Sequence, residues 1–252
     1  FPQAAFNVTI GRKYFWGGKT LQQIIAMGSA NQATVGEETL PIINRPDPAA
    51  IIFTTGSTGP PKGVLYTHGT FHAQIDRIRE RYDIHRGSRD LACFPLFGLF
   101  DAVMGVTTII PDMDPTRPAD VNPKRLIEAA EQWEIDQAFG SPALWNTVVT
   151  WCNQNAVAQP FPTLRRVLSA GAPVPASTLQ RLRDIFSDYS EIYTPYGATE
   201  ALPIASIESR QVICETGPAA AKGKGVCVGT RFADVQWRVI EIHDGAINSL
   251  TD

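Results

Sequence analysis

Apolar residues along this chain gather into short unbroken runs separated by stretches with helical spacing. Residues 49–53 are apolar without alternation, the pattern of a strand buried on both faces. Phe71, Ile75, Ile78 and Tyr82 then recur at steps of four, three and four, one face of a helix. Further runs at 91–94 and 107–110 predict strands. Within 91–111, Pro95, Gly98, Asp101 and Gly105 predict a strand, a loop and a strand in a globular domain, not a membrane span. A helix is expected over 124–133, burying Leu126, Ile127, Ala130 and Trp133. A strand at 166–168, a helix at 175–186 with Leu179, Leu182, Ile185 and Phe186 inward, and a strand from 191 to 193 follow. Such alternation predicts an α/β fold, a largely parallel sheet with flanking helices, whose ligand site lies beyond the carboxyl ends of the strands. After residue 216 the texture changes. Glycines punctuate short runs, and Val235, Trp237 and Val239 alternate with Gln236 and Arg238, predicting antiparallel strands that begin a small β-barrel subdomain.

Composition narrows the function. The 22 Lys+Arg and 25 Asp+Glu nearly balance, so no global field recruits nucleic acid or an anionic membrane. The arginines at 77–89 are interleaved with acids, as on a solvated helix face. Four scattered cysteines form neither a CxxC pair nor a secreted disulfide framework, which fits a reducing cytoplasm. His68 and His72, spaced as helix neighbours, are set aside as a zinc site. Arg45-Pro46-Asp47-Pro48 forms a turn-rich boundary. The expected organisation is the end of a preceding N-terminal subdomain (1–48), an α/β nucleotide-binding core (49–215) and the start of a β subdomain (216–252). The chain is expected to be a piece of a longer protein.

Directly after the run at 49–53 come Thr54, Thr55, Gly56, Ser57, Thr58, Gly59, Pro60, Pro61, Lys62 and Gly63: four hydroxyls, three glycines and a lysine in ten residues. Glycines let backbone N–H groups approach phosphate oxygens, hydroxyls donate further bonds, and the prolines stiffen the turn from which Lys62 projects. A Walker A loop would need glycine where Pro61 stands and Ser or Thr where Gly63 stands. A plain Gly/Ser/Thr/Pro surface turn has the same composition. The ten positions, however, resemble the signature loop of the adenylate-forming superfamily of acyl-CoA synthetases, peptide-synthetase adenylation domains and luciferases.

Two further segments carry the resemblance. Ser169-Ala170-Gly171-Ala172-Pro173 is similar to the superfamily's adenine-binding loop, and Tyr196-Gly197-Ala198-Thr199-Glu200 to its Tyr-Gly-x-Thr-Glu motif. A strand-helix-strand unit would bring both to one sheet edge. The resemblance implies that Gly171, Ala172 and Pro173 border an adenine, Tyr196 stacks on it, Thr199 bonds the α-phosphate, and Glu200 ligates Mg²⁺. Lys62, Thr199 and Glu200 become the candidate catalytic residues, with ATP and Mg²⁺ required.

The implied reaction is attack of a carboxylate on the α-phosphorus of ATP, giving acyl-AMP and pyrophosphate, with no protein nucleophile. The stretch 53–151 resembles most the fatty-acid-activating branch, and within it the β-lactone synthetases of bacterial olefin biosynthesis, where a β-hydroxyl closes on the activated carboxyl. An apolar tunnel lined from residues 91–110 would suit a long acyl chain. Many CoA ligases of this family read Pro-Leu-Phe-His where this chain has Pro95-Leu96-Phe97-Gly98, so CoA as acceptor stays open beside lactone closure. A non-catalytic adenylate binder is the third reading. The family's mobile C-terminal domain, with its lysine, and the ribose-binding aspartate are not recognisable before Asp252, so the segment alone is expected to be inactive. Enzymes of the same lipid pathway are expected partners.

Overall fold

The computed structural model describes residues 7–31, 42–54 and 62–240, in two compact units divided between Asn44 and Arg45. In the first unit, β1 (Val8–Thr9) pairs in parallel with β2 (Lys19–Thr20), which runs into α1 (Leu21–Asn31). Thr20 and Gln23 cap that helix reciprocally, each side chain accepting from the other's backbone N–H.

The second unit opens with a hairpin. β3 (Pro48–Thr54) pairs antiparallel with β4 (Lys62–Thr67), forming a two-stranded sheet of its own. The expectation of a strand buried on both faces is therefore corrected: Ile51 and Phe53 are 61% and 63% exposed, and only alternate residues turn inward. A continuous apolar run shows that a strand is favourable, but it cannot show whether both faces find partners. Thr67 then closes a capping box with Thr70 at the start of α2 (His68–Tyr82), which buries Ile75, Ile78 and Tyr82 as expected.

The main sheet has seven strands. β6 (Thr107–Ile109), β5 (Arg89–Ala92), β7 (Gln137–Gly140), β8 (Arg166–Ser169) and β9 (Glu191–Ala198) lie side by side in parallel; β10 (Ala201–Glu208) and β11 (Thr230–Arg231) complete one edge antiparallel. Alternation distributes their side chains to two cores. Leu91, Ala138, Val167 and Ile192 pack against α4 (Pro123–Gln132), α5 (Pro142–Gln154) and α6 (Ala176–Ile185). On the other face, Leu168 and Tyr193 meet α2 and α3 (Pro95–Met104), where Phe100, Met104 and Phe232 are buried.

Several sequence expectations are corrected here. The middle of 91–111 is α3 rather than a loop. Pro95 sits at its first turn, where a missing N–H costs nothing, and Gly105 ends it with a left-handed φ of 74°. Trp133 is the C-cap of α4 and 49% exposed, not buried with Leu126, Ile127 and Ala130. β7 and α5 were not predicted, although Ser141 caps α5, Pro142 occupies its first turn, and Leu144, Trp145, Val148, Val149 and Cys152 mark its buried face. After β10 the chain forms short α and π turns, from Ser209–Gln211 to Ala220–Lys224, and those beyond residue 216 stand where strands were expected. Val235, Trp237 and Val239 lie in no regular strand. β11 joins the main sheet instead of opening a barrel among the described residues.

Candidate active site

A cavity of about 900 Å³ lies between the sheet and the α2–α3 face. Of the sequence-predicted residues, Gly171, Tyr196, Gly197 and Thr199 line it. Ala172 and Pro173 are exposed beside Gly171 and do not line it, and neither do Thr54, Lys62 and Glu200. Thr55, Gly56, Ser57, Thr58 and Gly59 lie outside the described residues.

The ends of the phosphate-type loop are nevertheless fixed. Thr54 and Lys62 stand directly opposite in the β3–β4 register, and the Thr54 hydroxyl donates to the Lys62 carbonyl at 3.4 Å. Side chains alternate along β4, so Lys62, Val64 and Tyr66 project to one face. From that face the Tyr66 hydroxyl donates to the carbonyl of Thr199 at 2.6 Å. The strand that begins with Lys62 is thus tied to the turn that carries Thr199 and Glu200.

That turn joins two strands rather than ending a loop, because Tyr193–Ala198 continue β9. Gly197 is required by close approach: a Cβ there would lie 2.8 Å from the Leu202 Cβ and 3.0 Å from the Ala201 carbonyl oxygen. Gly171 is required by backbone conformation, its φ of +95° being unfavourable for any residue with a side chain. The two motifs leave adjacent strands, β8 and β9, at their carboxyl ends, as the strand-helix-strand unit predicts.

Deeper in the cavity the lining is largely aromatic, with Phe71, Phe94, Phe97, Phe100 and Phe139. Two acids interrupt it. Asp90 and Asp101 are 4% and 3% exposed, and each carboxyl perturbs the other's titration. Burial raises Asp90 well above the ordinary carboxylate range, and the neighbouring Asp101 charge adds to the effect. Burial also pushes Asp101 up to about 6, partly offset by hydrogen bonds from Asp90 and from the Thr108 hydroxyl at 3.1 Å. Gln137, whose side-chain oxygen accepts from Arg166 at 3.4 Å, lowers Asp90 slightly against these effects. Neither acid nor Tyr66 was selected from the sequence.

The donors suit magnesium carried in with a nucleotide. Among the described residues no three His, Cys, Asp or Glu side chains gather as a metal cage, whereas Glu200 offers one exposed carboxylate in a turn. A single carboxylate plus substrate phosphates is a common way of holding Mg²⁺.

A cleft at the carboxyl ends of a parallel sheet, lined by Gly171 on one strand exit and Thr199 on the next, is where α/β folds of this kind bind their ligands. The sequence pattern of the AMP-binding enzyme family matches residues 14–248, and the chain belongs to that family. It is 42% identical over 246 residues to the olefin beta-lactone synthetase of Xanthomonas campestris pv. campestris, covering 98% of this chain and 42% of that protein. The olefin beta-lactone synthetase of Stenotrophomonas maltophilia matches with the same identity and coverage. The chain therefore spans less than half the length of these relatives. Among solved structures, VinN superposes with a TM-score of 0.66 at 19% identity, over 86% of this chain and 51% of that one. The N-terminal domain of FACL13 from Mycobacterium tuberculosis superposes with 0.58 at 20% identity, over 78% and 48%. At these identities the likeness shows the shared fold.

Proposed function

We propose that this chain is the nucleotide-binding part of an enzyme that activates a long-chain β-hydroxy fatty acid with ATP and closes the product to a β-lactone. The observation that carries the reading is the 42% identity, over 98% of this chain, to two olefin beta-lactone synthetases. An aromatic cavity beside Thr199 supports it.

On this reading the substrate carboxylate oxygen attacks the α-phosphorus of ATP while the bond to pyrophosphate breaks, leaving acyl-AMP. Thr54, Thr55, Gly56, Ser57, Thr58, Gly59 and Lys62 hold the leaving phosphates, and Thr199 holds the α-phosphate. Gly171, Ala172 and Pro173 border the adenine, Tyr196 stacks on it, and Gly197 allows the strands to close beneath it. Glu200 holds Mg²⁺, which supplies positive charge where phosphate oxygens become more negative. Catalysis then rests on positioning and charge, without a covalent enzyme intermediate. In the second step the β-hydroxyl oxygen bonds to the acyl carbon, AMP leaves with the broken C–O bond, and the hydroxyl proton passes to solvent.

Gly98 favours lactone closure over CoA transfer. A Cβ at that position would lie 2.9 Å from the Thr108 Cγ2, so the histidine that many CoA ligases carry there could be placed only if the Thr108 side chain gave way. The deciding experiment incubates the full-length protein with ATP, Mg²⁺ and a β-hydroxy fatty acid, with and without CoA. Lactone without CoA is the expected result. Thioester formed only with CoA would establish a fatty acyl-CoA ligase, and no pyrophosphate release would leave a non-catalytic adenylate binder. The 252 residues alone are proposed to lack ATP–pyrophosphate exchange, which the same assay measures. No helix among the described residues is long and apolar enough to cross a bilayer. A cytoplasmic location, in complex with enzymes that supply the hydroxy acid or consume the lactone, completes the proposal.

A further inference from the structure

Tyr66 is 3% exposed, and its ring packs edge-on against Phe71 with centroids 5.1 Å apart. Its hydroxyl is shared: it donates to the Thr199 carbonyl at 2.6 Å and accepts from the Gln74 side-chain amide at 3.4 Å. Gln74 is itself 5% exposed, and its own carbonyl oxygen has no partner. Burying an amide with one end unsatisfied costs on the order of 1–3 kcal/mol. An apolar residue would avoid that cost, so the stability of α2 alone does not account for glutamine here.

We propose that Tyr66, held by Gln74, is a positioning residue for adenylate formation, a strut that fixes the Thr199–Glu200 peptide relative to the strand carrying Lys62. The proposal rests on the acyl-activating function above. A peptide group is planar, so holding the Thr199 carbonyl also fixes the direction of the Glu200 N–H and the exits of both flanking side chains. Lys62 is four residues from Tyr66 on the same strand face, about 13 Å along β4. One hydrogen bond therefore joins the two halves of the triphosphate site. A displacement of about 1 Å in either half is enough to cost two orders of magnitude in rate in well-positioned reactions.

The test uses the full-length protein and its Tyr66→Phe and Gln74→Met variants, assayed for acid-dependent pyrophosphate release across ATP, Mg²⁺ and fatty-acid concentrations. Phenylalanine keeps the ring against Phe71 and removes both hydrogen bonds. Tyr66→Phe should lower kcat by about tenfold, equivalent to about 1.4 kcal/mol, raise the Mg²⁺ concentration needed for half-maximal rate, and leave the KM for fatty acid unchanged. A purely structural tyrosine would lower the melting temperature without shifting the Mg²⁺ requirement. Gln74→Met removes only the donor to Tyr66 and deletes the unsatisfied oxygen. It should fold at least as stably as the parent and lose about two- to threefold in kcat, a fraction of the tyrosine effect. Parental kcat and Mg²⁺ dependence in both variants would overturn the proposal, and if Tyr66→Phe does not fold, parental values in Gln74→Met alone overturn it. Absence of pyrophosphate release from the unmodified protein is a different outcome, which removes the underlying function and the strut's role with it.

Discussion

The ring of Phe97 on α3 lies nearly parallel to that of Phe139 on β7, with centroids 3.9 Å apart and 20° between the planes. Both line the cavity, so the stack joins helix to sheet across the space assigned to the acyl chain. Phe97→Ala should widen that space and shift preference towards bulkier or longer acids, with the KM for ATP unchanged. Because Phe97 is only partly buried, the stability loss should be about 3 kcal/mol, the lower end for phenylalanine truncation. Acid-chain profiling and urea unfolding check the two parts.

The buried acid pair sets a pH dependence whose sign can be worked out. Asp101 has a folded-state pKa raised from 3.8 to about 6, so between those values the folded protein keeps a proton that the unfolded chain has released. Stability from this group is full below pH 3.8 and is lost as pH rises through 6. Asp90 is shifted in the same direction. Asp101→Asn cannot lose that proton, so the variant should gain on the parent between pH 4.5 and 7.5. Melting temperatures at the two ends measure the gain, and an equal offset at both would refute the assignment.

Gly98 and Thr108 should show strong energetic coupling. Gly98→Ala places a methyl 2.9 Å from the Thr108 Cγ2 and should destabilise by about 1–3 kcal/mol. Thr108→Ser removes that methyl group while keeping the hydroxyl that donates to Asp101. The double variant should recover most of the loss, which a double-mutant cycle reads directly.

Charge removal at the triphosphate site tests the assigned roles. Lys62→Ala in the full-length protein should lower the rate of pyrophosphate release by about 10²–10³. Glu200→Gln should do the same at low Mg²⁺ and recover partly as Mg²⁺ is raised. Neither should alter the melting temperature appreciably, because both residues are exposed.

The sequence was most informative where one local rule decided the outcome. The helical spacing from Phe71 to Tyr82 and the strands at 166–168 and 191–193 needed only periodicity, and each stands in the structure. The run at 49–53 showed a strand but not its neighbours, because apolar composition does not reveal how many faces will be covered. α3 was obscured by its own Pro and Gly residues, which mark helix ends as readily as loops. For the site, two of the three motifs pointed to one sheet edge, and β8 and β9 carry them there side by side. Tyr66, Asp90 and Asp101 could not be singled out. Their significance comes from partners 133, 11 and 7 residues distant in sequence, at Thr199, Asp101 and Thr108, and only tertiary packing brings those partners together.

The β3–β4 hairpin carries a practical consequence. Ile51 pairs with Leu65, and Phe53 stands two residues along on the same side, all more than half exposed. A bare apolar ladder of this kind is adhesive towards any similar surface. At the high concentrations used for crystallisation or NMR, these 252 residues should self-associate through that ladder. Charged replacements at Ile51 and Leu65 should keep them monodisperse in light scattering.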